Sequence, residues 1–187
     1  LTVAAIGAVL ALAGCGSSSS SAGGSTSTAR GTARTPVSAV ASRPAGVNPS
    51  ASAKMVCQSE AQGELAQSLG VPATQVTTPT WVDHLYSCTY RYPNGSFAMS
   101  VKELDNRPDT TSYFNALAAL YGRRPGNLGI GQGAFVTTNG NVVVRKDYKV
   151  LYVDTSQLPG SFGQPPQSQS DNALSIAATI MSCWSGA

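Results

Sequence analysis

One histidine, His84, is present among 187 residues, and charged side chains make up only 11% of the chain. A single imidazole excludes a multi-histidine metal site and leaves one group to titrate near neutral pH. The charged fraction is less than half the roughly 25% usual in globular proteins. No apolar run reaches the ~18–20 residues that a membrane-spanning helix requires. A Gly-x-Ser-x-Gly nucleophile elbow is missing, and so is any internal repeat of about 20–50 residues. Acidic residues are absent from 16–53, which carries Arg30, Arg34 and Arg43. Residues 54–187 hold nine Lys/Arg against nine Asp/Glu, so the net charge of +3 lies wholly upstream of them. A neutral domain lacks the long-range field of a nucleic-acid binder. Three cations along a tether suit an anionic membrane surface instead.

The first fifteen residues are apolar or small apart from Thr2, and they end in Leu12-Ala13-Gly14-Cys15 before a serine run. Thirteen residues of helix rise only about 20 Å, short of the hydrocarbon core. A short apolar stretch followed by small residues reads as a secretory h-region with its cleavage site. Leu-Ala-Gly-Cys in that setting resembles the bacterial lipobox. The resemblance implies that residues 1–14 are a lipoprotein signal peptide and that Cys15 is acylated. No Lys or Arg precedes the h-region, so a basic n-region is expected to be missing from this chain. Residues 15–53 are rich in Ser, Thr, Ala and Gly and have no aromatic residue. Such a segment buries too little apolar surface to offset its ordering entropy, and it reads as a disordered tether.

From residue 54 the pattern becomes that of a folded domain, expected to span 54–187. Cys57, Ala61, Leu65 and Leu69 recur at helical spacing, closed by Gly70 and Pro72. Leu85–Tyr92 and Phe97–Leu104, joined through Pro93-Asn94-Gly95, read as a hairpin. Asp109 is placed to cap a second helix ended by Gly122. Strands follow at 133–137, 142–145 and 149–154, then a long loop at 155–170 and a helix over 171–184. The order α-β-β-α-β-β-β-α predicts an α+β fold. Its expected form is a roughly five-stranded antiparallel sheet with helices on one face. The run Val142-Val143-Val144 predicts a strand covered on both sides or at the sheet centre.

Besides Cys15 there are three cysteines, Cys57, Cys88 and Cys183. In an oxidising compartment three thiols allow one bridge. Cys57–Cys88 is favoured, with Cys57–Cys183 second, so Cys183 is either the thiol left over or the alternative partner.

Together the lipobox, the linker, Val56-Cys57, Ser87-Cys88-Thr89-Tyr90, Gly129-Ile130-Gly131-Gln132-Gly133-Ala134 and Ser182-Cys183-Trp184 resemble small lipoproteins of actinobacteria. The resemblance implies an extracytoplasmic sensor-like or binding-like domain and no particular reaction.

Candidate chemistry is sparse. Asp83-His84 beside many serines raises a small envelope hydrolase using His84, but a triad needs a positioned nucleophile and an oxyanion hole. The G-x-G-x-G of 129–133 departs from the dinucleotide-binding spacing and reads as a glycine bend. Arg123 and Arg124 follow the second helix, where cations complement the dipole or capture an anion. Arg145, Lys146 and Lys149 flank a turn at Asp147 expected to be solvated. Loop 155–170, with Phe162 as a partner-facing anchor or a core residue, is the expected binding surface. The binding candidates are therefore Phe162, Arg123 and Arg124, with no catalytic residue, metal or cofactor. The leading expectation is a non-enzymatic module lipid-anchored on the outer face of the cell membrane, binding an envelope protein, glycan or lipid. The alternatives are the His84 hydrolase and a structural envelope component.

Overall fold

The structure, a computed structural model, describes residues 45–184, all within the compact unit Ser38–Ala187. The expected signal peptide, Cys15 and most of the expected tether lie outside the described residues.

Helical structure begins ahead of the expected boundary at residue 54. The Ser50 hydroxyl accepts from Ala53 N–H and caps α1 (Ala51–Met55). A break at 56–58 separates it from α2 (Ser59–Leu69), so Cys57 sits between two helices rather than opening one. Gly70, at φ 68°, closes α2 in the left-handed conformation expected of it. Two short edge strands, β1 (Gln75–Val76) and β2 (Thr80–Val82), both pair with β3 (Leu85–Tyr92). Pro79 lies between them, and a broken edge of this kind discourages pairing with other chains. β4 (Gly95–Glu103) completes the hairpin. In α3 (Arg107–Leu120) the cap is Asn106 and not Asp109: the Asn106 side chain accepts from Asp109 N–H at 2.8 Å, with Pro108 in the first turn.

β5 (Gly133–Val136), β6 (Val142–Lys146) and β7 (Lys149–Asp154) follow, then β8 (Ser161–Phe162), β9 (Gln167–Ser168) and α4 (Gln169–Cys183). The main sheet has seven strands rather than five, ordered β1-β3-β4-β7-β6-β5 with β2 also on β3, and every pairing is antiparallel. β7 reaches β4 across the intervening α3, which inserts the last hairpin beside the first.

Period-two alternation sorts the strands onto two faces. Phe97, Met99, Val101, Leu151, Val153, Val142 and Val144 point to the core shared with α1, α2 and α4. Val143, Val150 and Phe135 point the other way, onto Phe114 and Ala118 of α3. The helices therefore occupy both faces, against the expectation of one. The expectation for Val142-Val143-Val144 holds, since all three are fully buried between the two layers. α3 covers only the β5–β6–β7 half of its face. Over β3 and β4 the same side carries Ser87, Thr89, Ser96 and Ser100, none of them buried.

Cys57 and Cys88 form a disulfide, with Cα atoms 6.1 Å apart. It ties the α1–α2 junction to β3, where the Tyr90 hydroxyl also donates to Val56 O at 2.7 Å. Cys183 is not the partner of Cys57, and no cysteine among the described residues is free. The leftover thiol expected at Cys183 is thus not found. In the chain-entropy picture a loop of about 30 residues contributes roughly 3–4 kcal/mol. The double variant Cys57→Ser/Cys88→Ser should lose about that much in urea unfolding at unchanged pH. A loss below about 1 kcal/mol would show that the contacts around Val56 hold this corner without the bond.

Candidate functional site

Three segments meet at one end of the β3–β4 hairpin. The residues after α2 (Val71, Pro72, Thr74), the hairpin turn (Tyr92, Pro93, Asn94) and the β8–β9 hairpin (Ser161–Gln164, Pro166) enclose a pocket of about 520 Å³. Pockets of roughly 300–1,000 Å³ suit small-molecule ligands. The floor is aromatic. Phe162 meets Tyr92 edge to face at 4.8 Å, and Phe97 lies between Tyr92 (5.9 Å) and Tyr90 (4.7 Å). Phe162 is only 6% exposed, so it tucks inward and lines the pocket; it is not a protruding anchor.

The walls are irregular backbone, and each is held by a specific bond. The Asn172 amide donates to Phe162 O (3.1 Å), Gln167 O (3.2 Å) and Ser168 O (3.0 Å), and the residue is 1% exposed. Gln164 N–H donates to Leu69 O at 2.8 Å. That approach needs glycine at 70: a Cβ there would lie 2.0 Å from Gln164 O, and φ is 68°. On the other wall Ser96 N–H donates to Gln157 O at 3.1 Å, and a Cβ on Gly95 would come within 2.6 Å of the same oxygen. The Gln169 amide donates to Leu158 O. Further back, Asn141 accepts from Thr155 N–H at 2.9 Å and donates to the Tyr152 hydroxyl at 2.8 Å. These bonds fold 155–168 into a fixed body, so the segment read as one long loop contains a small hairpin, and α4 starts at Gln169 rather than Asp171.

Among the described residues no acidic or basic side chain lines the pocket. Its floor holds one ionisable group, Tyr92, whose hydroxyl is pushed up to about 12 by burial and so stays protonated across the physiological range.

The other sequence candidates lie elsewhere. His84 is exposed on the Asp83-His84 turn, both residues at positive φ (50° and 57°), with its ring edge-on to Trp81 at 5.6 Å. It hydrogen-bonds no serine among the described residues. Neither Arg123 nor Arg124 lines the pocket; Arg123 reaches Thr137 O at 3.5 Å. Gly129 and Gly131 take positive φ (77° and 63°), as a glycine bend requires. The turn at Asp147 is not simply solvated. Arg145 lies over the Phe114 ring at 5.7 Å and donates to Thr111, while Lys149 is 2% exposed and has its pKa lowered by that burial. Among the described residues no helix is long and apolar enough to cross a membrane. Compared with protein-family models, characterised proteins and solved structures, the chain matches none.

Sequence reading singled out Phe162 and the loop but missed Asn172, Gly70 and Tyr92. The signal for Asn172 was a polar residue on the apolar side of the last helix, beside Ala173 and Ile176. Asn172→Ala removes the donor from three carbonyls and should cost about 2–3 kcal/mol. Hydrogen exchange should quicken at 161–168 while the β4–β7 ladder stays protected; uniform loosening of both would contradict the local role. Burial raises the folded pKa of Tyr92 above the ordinary value of 10, so its contribution is intact below pH 10 and lost as pH rises towards 12. Tyrosinate absorbance near 295 nm should therefore include a late component, smaller by one tyrosine in Tyr92→Phe because the buried Tyr90 and Tyr152 also titrate late.

Proposed function

We propose that this chain is a non-enzymatic binding module of the cell envelope, tethered to the outer face of the membrane through an acylated Cys15, with the pocket over Tyr92 and Phe162 as its binding site. The observation that carries the reading is a concave, largely apolar pocket whose walls are fixed by Asn172, Gly70 and Gln157 before any ligand arrives. Preformed walls keep down the ordering cost of binding. An uncharged lining favours holding a molecule over transforming it, because acid–base and nucleophilic chemistry need a titratable group within reach of the substrate. The Leu12–Cys15 pattern and the Ser-rich stretch after it, which has no acidic residue up to residue 53, support the anchor.

Two measurements test the two halves. Cys15→Ala should move the chain from the detergent phase to the aqueous phase, and the wild-type N-terminal peptide should carry a diacylglyceryl adduct by mass spectrometry. A wild-type Cys15 engaged in a disulfide, or unmodified, overturns the anchor. For the pocket, native mass spectrometry of the chain purified from envelopes should show a bound small molecule that is missing from Ser161→Trp. Ser161 is exposed at the mouth, so this change fills the pocket without entering the core. Identical spectra for the two overturn the pocket as the site.

A further inference from the structure

The chemistry of the lining narrows the ligand. A charged ligand would exchange its hydration for walls with no counter-charge, which disfavours phosphates, carboxylates and ammonium groups. A long acyl chain needs a tunnel, but the floor is closed: Phe97 and Tyr90 directly behind Tyr92 are each 1% exposed and stacked on one another. A saccharide would bring more hydroxyls than these walls can pair, and the Thr74 hydroxyl is already donated to Arg91 O at 2.9 Å.

What the walls do offer is specific. Pro72, Pro93 and Pro166 present rigid rings whose C–H bonds are polarised by the adjoining amides, and Phe162 and Tyr92 meet edge to face above the core. Partly positive C–H groups and ring edges are attracted to the negative face of a π system. Among the described residues the Tyr92 hydroxyl donates to no acceptor. Among the described residues Arg145 Nε is the one side-chain polar atom both sealed from solvent and unpartnered, so the unpartnered Tyr92 oxygen is not sealed, and Tyr92 lines the pocket.

Resting on the pocket as the binding site, we infer that its ligand is an uncharged planar aromatic molecule carrying a hydrogen-bond acceptor, which the Tyr92 hydroxyl meets. The acceptor sits at the floor and the ring lies between the proline walls. Asn94 and Gln164, exposed at the mouth, are left to pair with any polar substituent that points outward.

Coumarin, a neutral planar aromatic lactone, is a direct probe. Isothermal titration of the 187-residue chain carrying Cys15→Ser should show saturable one-to-one binding of coumarin. Benzoate, charged and of similar ring size, and methyl glucoside, neutral but rich in hydroxyls, should give no saturation over the same range. Tyr92→Phe should weaken coumarin binding about tenfold, the loss of one hydrogen bond, and Ser161→Trp should abolish it. The inference about ligand class is overturned if benzoate or methyl glucoside binds as well as coumarin and that binding is lost in Ser161→Trp, or if Tyr92→Phe binds coumarin like the parent. The pocket reading itself falls if coumarin binding survives Ser161→Trp, or if none of the three probes binds.

Discussion

A buried carbonyl must find a donor, and this domain meets that requirement in two different ways. Across the main sheet the ladder does it: β4 and β7 pair over six residues and β6 and β7 over five. Over 155–168 no ladder of useful length is available, since β8 and β9 pair through only two residues each. Side-chain amides take its place. Asn172 alone serves three carbonyls with the two protons of one nitrogen, so at least one of those bonds is shared. An unpaired buried carbonyl costs on the order of 1–3 kcal/mol, so without these donors the segment would lift into water and take Phe162 with it. The pocket exists because irregular backbone is kept at the core surface by borrowed donors.

The regular part of the fold was legible because periodicity reports burial. Cys88, Tyr90 and Tyr92 alternate along β3, and Phe97, Met99 and Val101 along β4, so both strands could be placed from the sequence. The last hairpin was legible for the complementary reason, as Val142-Val143-Val144 has no polar side to show. What that run does not disclose is which layer covers which residue. Helix α3 carries Phe114 and Ala118 towards Val143, but nothing in its own spacing distinguishes that face of the sheet from the other. Placing α3 requires knowing that β7 lies beside β4, a pairing between residues about fifty positions apart in sequence.

The site was less legible for a physical reason. Glycine and proline mark a bend without saying what approaches it. Gly70 reads as a helix stop, and it is one; its second role, admitting Gln164 O where a Cβ would sit, depends on a segment more than ninety residues downstream. Phe162 lacked neighbours in any repeating pattern, so inward and outward placements were equally open until Tyr92 was found beside it. Asn172 was hidden by its company, one polar residue on a helix side otherwise made of Ala173, Ile176, Ala177 and Ile180, all buried.

The two ends of β4 then separate the place where residues 45–50 are fastened from the pocket. At its C-terminal end Ser50 N–H donates to Glu103 at 3.3 Å, and just beyond it Ala45 N–H donates to Leu104 O at 3.2 Å, so the incoming chain is fastened there. At its N-terminal end Gly95 follows the Pro93-Asn94 turn that lines the pocket. Nine residues of strand put about 30 Å between the two. A load carried into the fold through Ala45 and Ser50 therefore falls on the Glu103 end of the strand rather than on the pocket walls. On the reading proposed above, in which the chain is tethered and the pocket binds a ligand, that separation lets the two roles work without disturbing one another.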